Sequence, residues 1–232
     1  MKNILLLHGA LGSESQLSPL AKLLEKECTV HSINFTGHGG NGVVRDFTIV
    51  SLAAQVKDYI LENQISPVTI FGYSMGGYVG MHLATKEPAL VKSICTLATK
   101  FYWDEHVSAK EVGMLDAGKI EKKLPAFAEM LRQRHEPNDW KDLLEKTKQM
   151  LLNMCLENCL TSKDYAAISI PALVMVGDRD KMVSVDETMA VFRALPNAQM
   201  AVLPATGHPV EQVDLEQLAF QVTRFLNKDL FD

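Results

Sequence analysis

Val68-Thr69-Ile70-Phe71-Gly72-Tyr73-Ser74-Met75-Gly76-Gly77 is the stretch that decides the fold. Residues 68–71 form a short apolar run, the pattern of a strand buried on both faces. From Met75 a helical pattern runs to Lys86, and Pro88 stops it. Between the two, Gly72-Tyr73-Ser74-Met75-Gly76 fits G-x-S-x-G, in which a serine sits on a strained turn from strand to helix with its hydroxyl exposed. Such a turn tolerates only small neighbours. Gly72 and Gly76 remove side chains that would collide with it, and Gly77 and Gly80 let the helix pack close to a sheet.

The same alternation extends to both sides. Apolar runs at 4–7, 28–35, 91–98, 172–176 and 199–203 predict further strands, the fifth introduced by Pro171. Helical patterns fall at 17–27, 48–63, 184–195 and 210–226. The stretch 48–63 places Leu52, Val56, Tyr59 and Ile60 on one stripe, and Ser184 with Glu187 forms a capping box. From 100 to 167 strand signals vanish, and helices are expected near 109–118, 120–135 and 140–160. The expected fold is therefore α/β: a mostly parallel, doubly wound sheet of about six strands with a helical cap insertion. Residues 1–99 and 168–232 make the core, and 100–167 make the cap. Ligands bind beyond the carboxyl ends of strands in such sheets, so the insertion should lie over that rim or beside it.

Composition narrows the function. The 232 residues are 47% apolar and 22% charged, with a net charge of −5 and a pI near 5.8. A nucleic-acid binder would show a basic face and a high pI, so no nucleic-acid partner is expected. No segment approaches the roughly 18 apolar residues of a membrane span, and the N-terminus carries no signal-peptide pattern. A cytoplasmic protein is expected. Cys28 and Cys95 read as core thiols, and Cys155 and Cys159 share a helix face without a second pair at zinc spacing. No metal site and no cofactor are expected, since there is neither His-Glu-x-x-His nor a carboxylate cluster.

With its elbow at 72–76, His8-Gly9 after the first strand, Gly-Asp-Arg-Asp at 177–180 and Gly207-His208, the chain resembles the α/β-hydrolase superfamily over essentially its full length. It resembles a compact member, lacking two N-terminal strands of the usual pattern. The resemblance implies a serine hydrolase with the chain order serine, acid, histidine. Ser74 is the implied nucleophile and His208 the base, since it follows the last strand and precedes the closing helix. Two aspartates follow the fifth strand, Asp178 and Asp180, and the family's Gly-x-x-Asp pattern selects Asp180. The oxyanion hole is implied at the backbone N–H groups of Met75 and Ala10. His8 is expected to shape the loop 9–12.

Gly37-His38-Gly39-Gly40-Asn41-Gly42 also satisfies G-x-G-x-x-G. A dinucleotide site needs a helix opening at once so that its N-terminus meets the pyrophosphate, and here Val43 to Phe47 intervene. By resemblance His38 instead forms a wall of the active site. His82 reads as buried packing, and His106 and His135 as solvated. A small, partly apolar substrate is expected, with Tyr73, Lys100, Phe101 and Trp103 as candidate contacts, and Tyr102, Met114, Phe127, Met130, Trp140, Met150 and Met154 around the cap. Lys100 reads as a solvated lysine or as the partner of a substrate carboxylate. Ester hydrolysis is the favoured reaction. C–C bond hydrolysis, lyase or perhydrolase chemistry on the same triad remains open, as does a ligand-sensing role without turnover.

Overall fold

The computed structural model describes residues 2–42, 46–156 and 160–227. Six strands form one parallel sheet: β1 (Lys2–Leu7), β2 (Cys28–Ile33), β3 (Val68–Tyr73), β4 (Val91–Leu97), β5 (Ala172–Gly177) and β6 (Ala198–Leu203), in the order β2-β1-β3-β4-β5-β6. The chain moves outward from β1 to β2, then returns to lay β3 on the other side of β1. That reversal opens a crevice at the carboxyl ends of β1 and β3, where such sheets bind ligands.

Alternation along each strand divides the core in two. Leu5, Leu7, Ile70, Ile94 and Val174 face one layer, against Leu52 and Val56 of α2 (Ile49–Glu62), Val79 of α3 (Met75–Lys86) and Val191 of α9 (Val185–Ala194). Ile4, Leu6, Phe71, Cys95 and Leu173 face the other, against Leu17 and Leu20 of α1 (Glu14–Leu24) and Leu218 and Val222 of α10 (Leu215–Leu226). All six residues of β3 are buried. Helices covering both faces explain why the inner strands read as unbroken apolar runs.

Several boundaries move, each for a local reason. The helix expected at 17–27 begins at Glu14, because the Gln16 side chain accepts from the Ser13 N–H at 3.2 Å and opens the helix earlier. The closing helix breaks: a 3-10 turn covers Val210–Gln212, and Asp214 then caps α10, accepting from the amides of Glu216 and Gln217 at 3.1 Å. The three helices expected between 100 and 167 are five: α4 (Glu105–Met114), α5 (Ala117–Lys123), α6 (Pro125–His135), α7 (Trp140–Leu156) and α8 (Ser162–Ala167). Asp104 and Asp116 cap α4 and α5, and Pro125, which lacks an N–H, begins α6. The last three residues of the stretch expected at 140–160 before Leu160, with Cys159 among them, lie outside the described residues. So do Val43, Val44 and Arg45. Cys28 and Cys95 are buried thiols, and Cys155 is half-buried.

At Gly76 a side chain would meet backbone. An added Cβ would fall on the carbonyl oxygens of Leu7 and His8, at the end of β1. Backbone of a central strand cannot step aside cheaply, so Gly76→Ala is expected to lose about 1–3 kcal/mol. Gly113 in α4 has open space around it, and Gly113→Ala is expected to be neutral or slightly stabilising. Urea unfolding of both variants checks this, and equal midpoints would refute the close approach.

Candidate active site

The elbow strains one residue in order to expose it. Ser74 adopts φ 50° and ψ −117°, a region that costs a non-glycine residue of order 1–3 kcal/mol. Hydrogen bonds hold it there. The Ser74 N–H donates to Leu97 O at 2.9 Å, and Ser74 O accepts from the Gly77 N–H at 3.0 Å and from Thr99 Oγ1 at 3.1 Å. Strand β4 and the first turn of α3 thus fix the serine at the end of β3.

His208 and Asp180 reach it from the far end of the chain. Ser74 Oγ lies 3.3 Å from His208 Nε2, and His208 Nδ1 lies 2.9 Å from Asp180 Oδ2. With the Nδ1 proton donated to the carboxylate, Nε2 is free to accept from the serine. The side chain of Asp180 is fully buried. Burial alone would push its carboxyl up. The hydrogen bond from His208 and the amides of Val183 and Met182 outweigh that and hold it below the usual carboxylate range. Those amides donate to Asp180 Oδ1 at 2.9 and 2.8 Å, so each carboxylate oxygen has its own task.

Asp178 does different work. Its Oδ1 accepts from the Thr206 N–H at 3.1 Å, and its other oxygen lies 3.6 Å from Arg179. It steadies the loop that carries His208 and does not touch the imidazole. Tyr73 does likewise: its hydroxyl donates to His208 O at 3.0 Å. Burial, with Glu211 nearby, holds that hydroxyl above its ordinary value, so it remains a donor.

A cavity of about 330 Å³ opens on Ser74 and His208, and Ala10 and Met75 also line it. Met75 is the first residue of α3, where a helix leaves its N–H groups without intrahelical partners. A Cβ added to Gly9 would lie 3.2 Å from that of Ser74, which measures how closely the loop after β1 approaches. The outer walls are apolar and come from α4, α6 and α7, with Met114, Phe127, Met150 and Met154 among them.

The structure separates the remaining candidates. Lys100 and Trp103 line the cavity. Lys100 is neither solvated nor free, because Glu187 Oε2 lies 3.6 Å from its ammonium. Glu187 therefore does not complete the expected capping box. Its N–H donates to Ser184 Oγ at 3.0 Å, but its carboxylate turns away and accepts from the amides of Phe101 and Tyr102 at 2.6 and 2.9 Å. Phe101 and Tyr102 consequently border a separate groove on α8 and α9. Tyr73, Met130 and Trp140 are also absent from the cavity wall.

His38 is not a wall either. It is fully buried, stacked on Phe47 at 5.8 Å, with His8 at 4.9 Å and His135 at 5.7 Å between ring centroids. His135, expected in solvent, is fully buried: its Nδ1 accepts from the Gly39 N–H at 3.1 Å, and its Nε2 donates to Leu11 O at 3.1 Å. The glycine loop is thus a socket for the end of α6. His8 shapes the loop after β1, donating from Nδ1 to Gly9 O at 2.8 Å and accepting the Phe35 N–H at 3.1 Å. His82 is buried as expected, and His106 is exposed.

Among the cavity-wall residues that sequence reasoning missed are Ile49, Tyr78, Glu111, Met182 and Val183. Only the last two carried a signal, since they adjoin Asp180. Among the described residues no group of three or more His, Cys, Asp or Glu could hold a metal, and no helix is long and apolar enough to cross a membrane.

Residues 4–219 match the family described as "Alpha/beta hydrolase family". The chain belongs to that family. It is an enzyme of the α/β-hydrolase type, and its curated relatives are named as esterases, lipases, a synthase and alcohol acetyltransferases. The chain is 31% identical over 99 residues to the pimeloyl-[acyl-carrier protein] methyl ester esterase of Neisseria meningitidis, a match covering 43% of this hydrolase and 37% of the relative. It is 24% identical over 247 residues to the 2-succinyl-6-hydroxy-2,4-cyclohexadiene-1-carboxylate synthase of Photorhabdus laumondii, covering 95% and 84%. Across the first curated relatives the chain spans from 27% to 84% of their length. MenH from S. aureus superposes with a TM-score of 0.80 at 19% identity, covering 99% of this chain and 94% of that one, and shows the shared fold.

Proposed function

We propose that this hydrolase cleaves esters with a substantially apolar acyl group through a Ser74–His208–Asp180 triad. One observation carries the reading: an unbroken chain of hydrogen bonds from Asp180 through His208 to Ser74 that ends on an apolar cavity. Ser74 Oγ attacks the ester carbonyl as its proton passes to His208 Nε2. The Met75 and Ala10 amides face the oxyanion. His208 returns the proton to the departing alkoxide, and water then repeats the cycle on the acyl-enzyme. Asp180 holds the imidazole tautomer and stabilises the imidazolium.

Residues 100–167 act as the cap. Helices α4, α6 and α7 roof the cavity and exclude water from the acyl group. Five methionines line it (Met75, Met114, Met150, Met154 and Met182), and their flexible thioethers accommodate acyl chains of differing shape. The Photorhabdus relative is named for a product bearing carboxylates. Here Lys100 faces Glu187, which leaves the wall poorly suited to a second anion and favours a neutral ester.

The test has two parts. A fluorophosphonate probe is expected to label Ser74, located by peptide mass spectrometry. For 4-nitrophenyl esters from acetate to octanoate, kcat/KM is expected to rise at least about tenfold, since each buried methylene contributes up to about 0.8 kcal/mol. No adduct at Ser74 would defeat the triad, and a flat series would defeat the apolar acyl site.

A further inference from the structure

Glu111 does not belong on the wall just described. It projects from α4 into an apolar lining, is only 4% exposed, and its Oε1 is buried without a hydrogen-bond partner. Buried carboxyl oxygens are ordinarily satisfied, and each one that is not calls for an explanation. The neighbouring polar groups are committed elsewhere. Ser108, one turn earlier on α4, donates to Leu151 O at 2.9 Å, and Thr147 donates to Leu143 O at 2.8 Å. Lys100, a cation on the same cavity wall, faces Glu187, whose other oxygen is anchored by two amides.

We infer that the Glu111 carboxyl accepts a hydrogen bond from a neutral hydroxyl on the substrate, so that this enzyme selects hydroxylated esters over their fully apolar counterparts. This deepens the ester-hydrolase reading and rests on it for the word ester. The donor is neutral for two reasons. An ammonium loses its hydration on entering these apolar walls. Burial also pushes the Glu111 carboxyl up from the ordinary carboxylate value, against the pull of Lys100, Lys110 and His208, which weakens its hold on a cation. Glu111, Ser74 and His208 line one cavity of about 330 Å³, so the hydroxyl that Glu111 accepts from belongs to the same bound molecule as the scissile ester.

A site that binds a hydroxyl discriminates strongly against the analogue lacking it, because the analogue leaves the buried acceptor unpaired. The experiment compares matched pairs: 4-nitrophenyl octanoate with its 3-hydroxy and 3-amino analogues, and ethyl octanoate with 2-hydroxyethyl octanoate. In the unaltered enzyme at least one hydroxy ester is expected to exceed its deoxy partner in kcat/KM by about tenfold or more. Glu111→Gln, which keeps an acceptor oxygen, is expected to retain most of that ratio. Glu111→Leu is expected to bring it near one. Because only ratios within one protein are compared, a general loss of folded enzyme does not imitate the result.

Calorimetric affinities of Ser74→Ala for the same ethyl and hydroxyethyl pair, with and without Glu111→Leu, give the ratio without turnover. They read Glu111 even if no ester is cleaved, so the failure of either idea is visible separately. Equal rates and affinities within every pair, or a hydroxyl preference unchanged by Glu111→Leu, would overturn the assignment. A preference for the amino ester would overturn it as well.

Discussion

Ser74→Ala is expected to lower kcat by roughly four to six orders of magnitude on any ester the enzyme accepts, with little change in folding stability. In the proposed mechanism Ser74 forms the acyl-enzyme, so what remains is the contribution of the oxyanion donors and of substrate positioning. Stability is spared because alanine keeps the backbone hydrogen bonds to Leu97, Gly77 and Thr99 that hold φ at 50°. Asp180→Asn is expected to cost about 10⁴ in kcat. The reason lies in the two amides at Asp180 Oδ1. They demand an acceptor, so asparagine turns its oxygen to Met182 and Val183 and its NH2 to His208. The imidazole must then carry its proton on Nε2, which faces Ser74 and can no longer accept. Single-turnover measurements on purified variants check both. Near-normal turnover by Ser74→Ala would remove the serine from the mechanism.

Acidification is expected to destabilise the fold steeply between pH 6.5 and about 4, ahead of the general titration of carboxylates. Burial holds His8 and His135 down to about 4, and His38 well below its ordinary 6.5. In the unfolded chain all three take up protons below pH 6.5, while in the folded one they remain neutral. The unfolded state then binds more protons, so stability falls as pH falls through this window and is fully present above it. Each histidine contributes a slope of about 1.4 kcal/mol per pH unit. Protonation also has a local meaning. His135 Nδ1 cannot accept from Gly39 once it carries a proton, and the end of α6 loses its seat on the glycine loop. Urea unfolding at pH 7, 6, 5 and 4 reads the slope. His135→Gln should flatten it by close to one proton, and an unfolding free energy independent of pH from 6.5 to 4.5 would refute the neutral cluster.

Much of this site was legible because it is local. G-x-S-x-G needs only its own glycines and the strand and helix around it, and Asp180 and His208 each stand a few residues after an apolar run that reads as a strand. The oxyanion positions at Met75 and Ala10 rest on the family resemblance. The cap resisted reading. Its helices restart at Asp116 and Pro125, signals present in the chain but outweighed by continuous apolar periodicity. His38 and His135 misled because a histidine in a polar stretch carries no mark of burial. The two become core residues only when the loop at 37–42 and the end of α6 meet.

Periodicity and turn chemistry alone settled the six strands, their covering helices and the elbow, since these depend on interactions between residues near in sequence. Tertiary structure alone decided that Glu187 takes Lys100 and leaves Glu111 unpaired, and which side chains line the cavity. Those outcomes are competitions between groups far apart in the chain for the same partner, and only the packed backbone sets the distances that determine the winner.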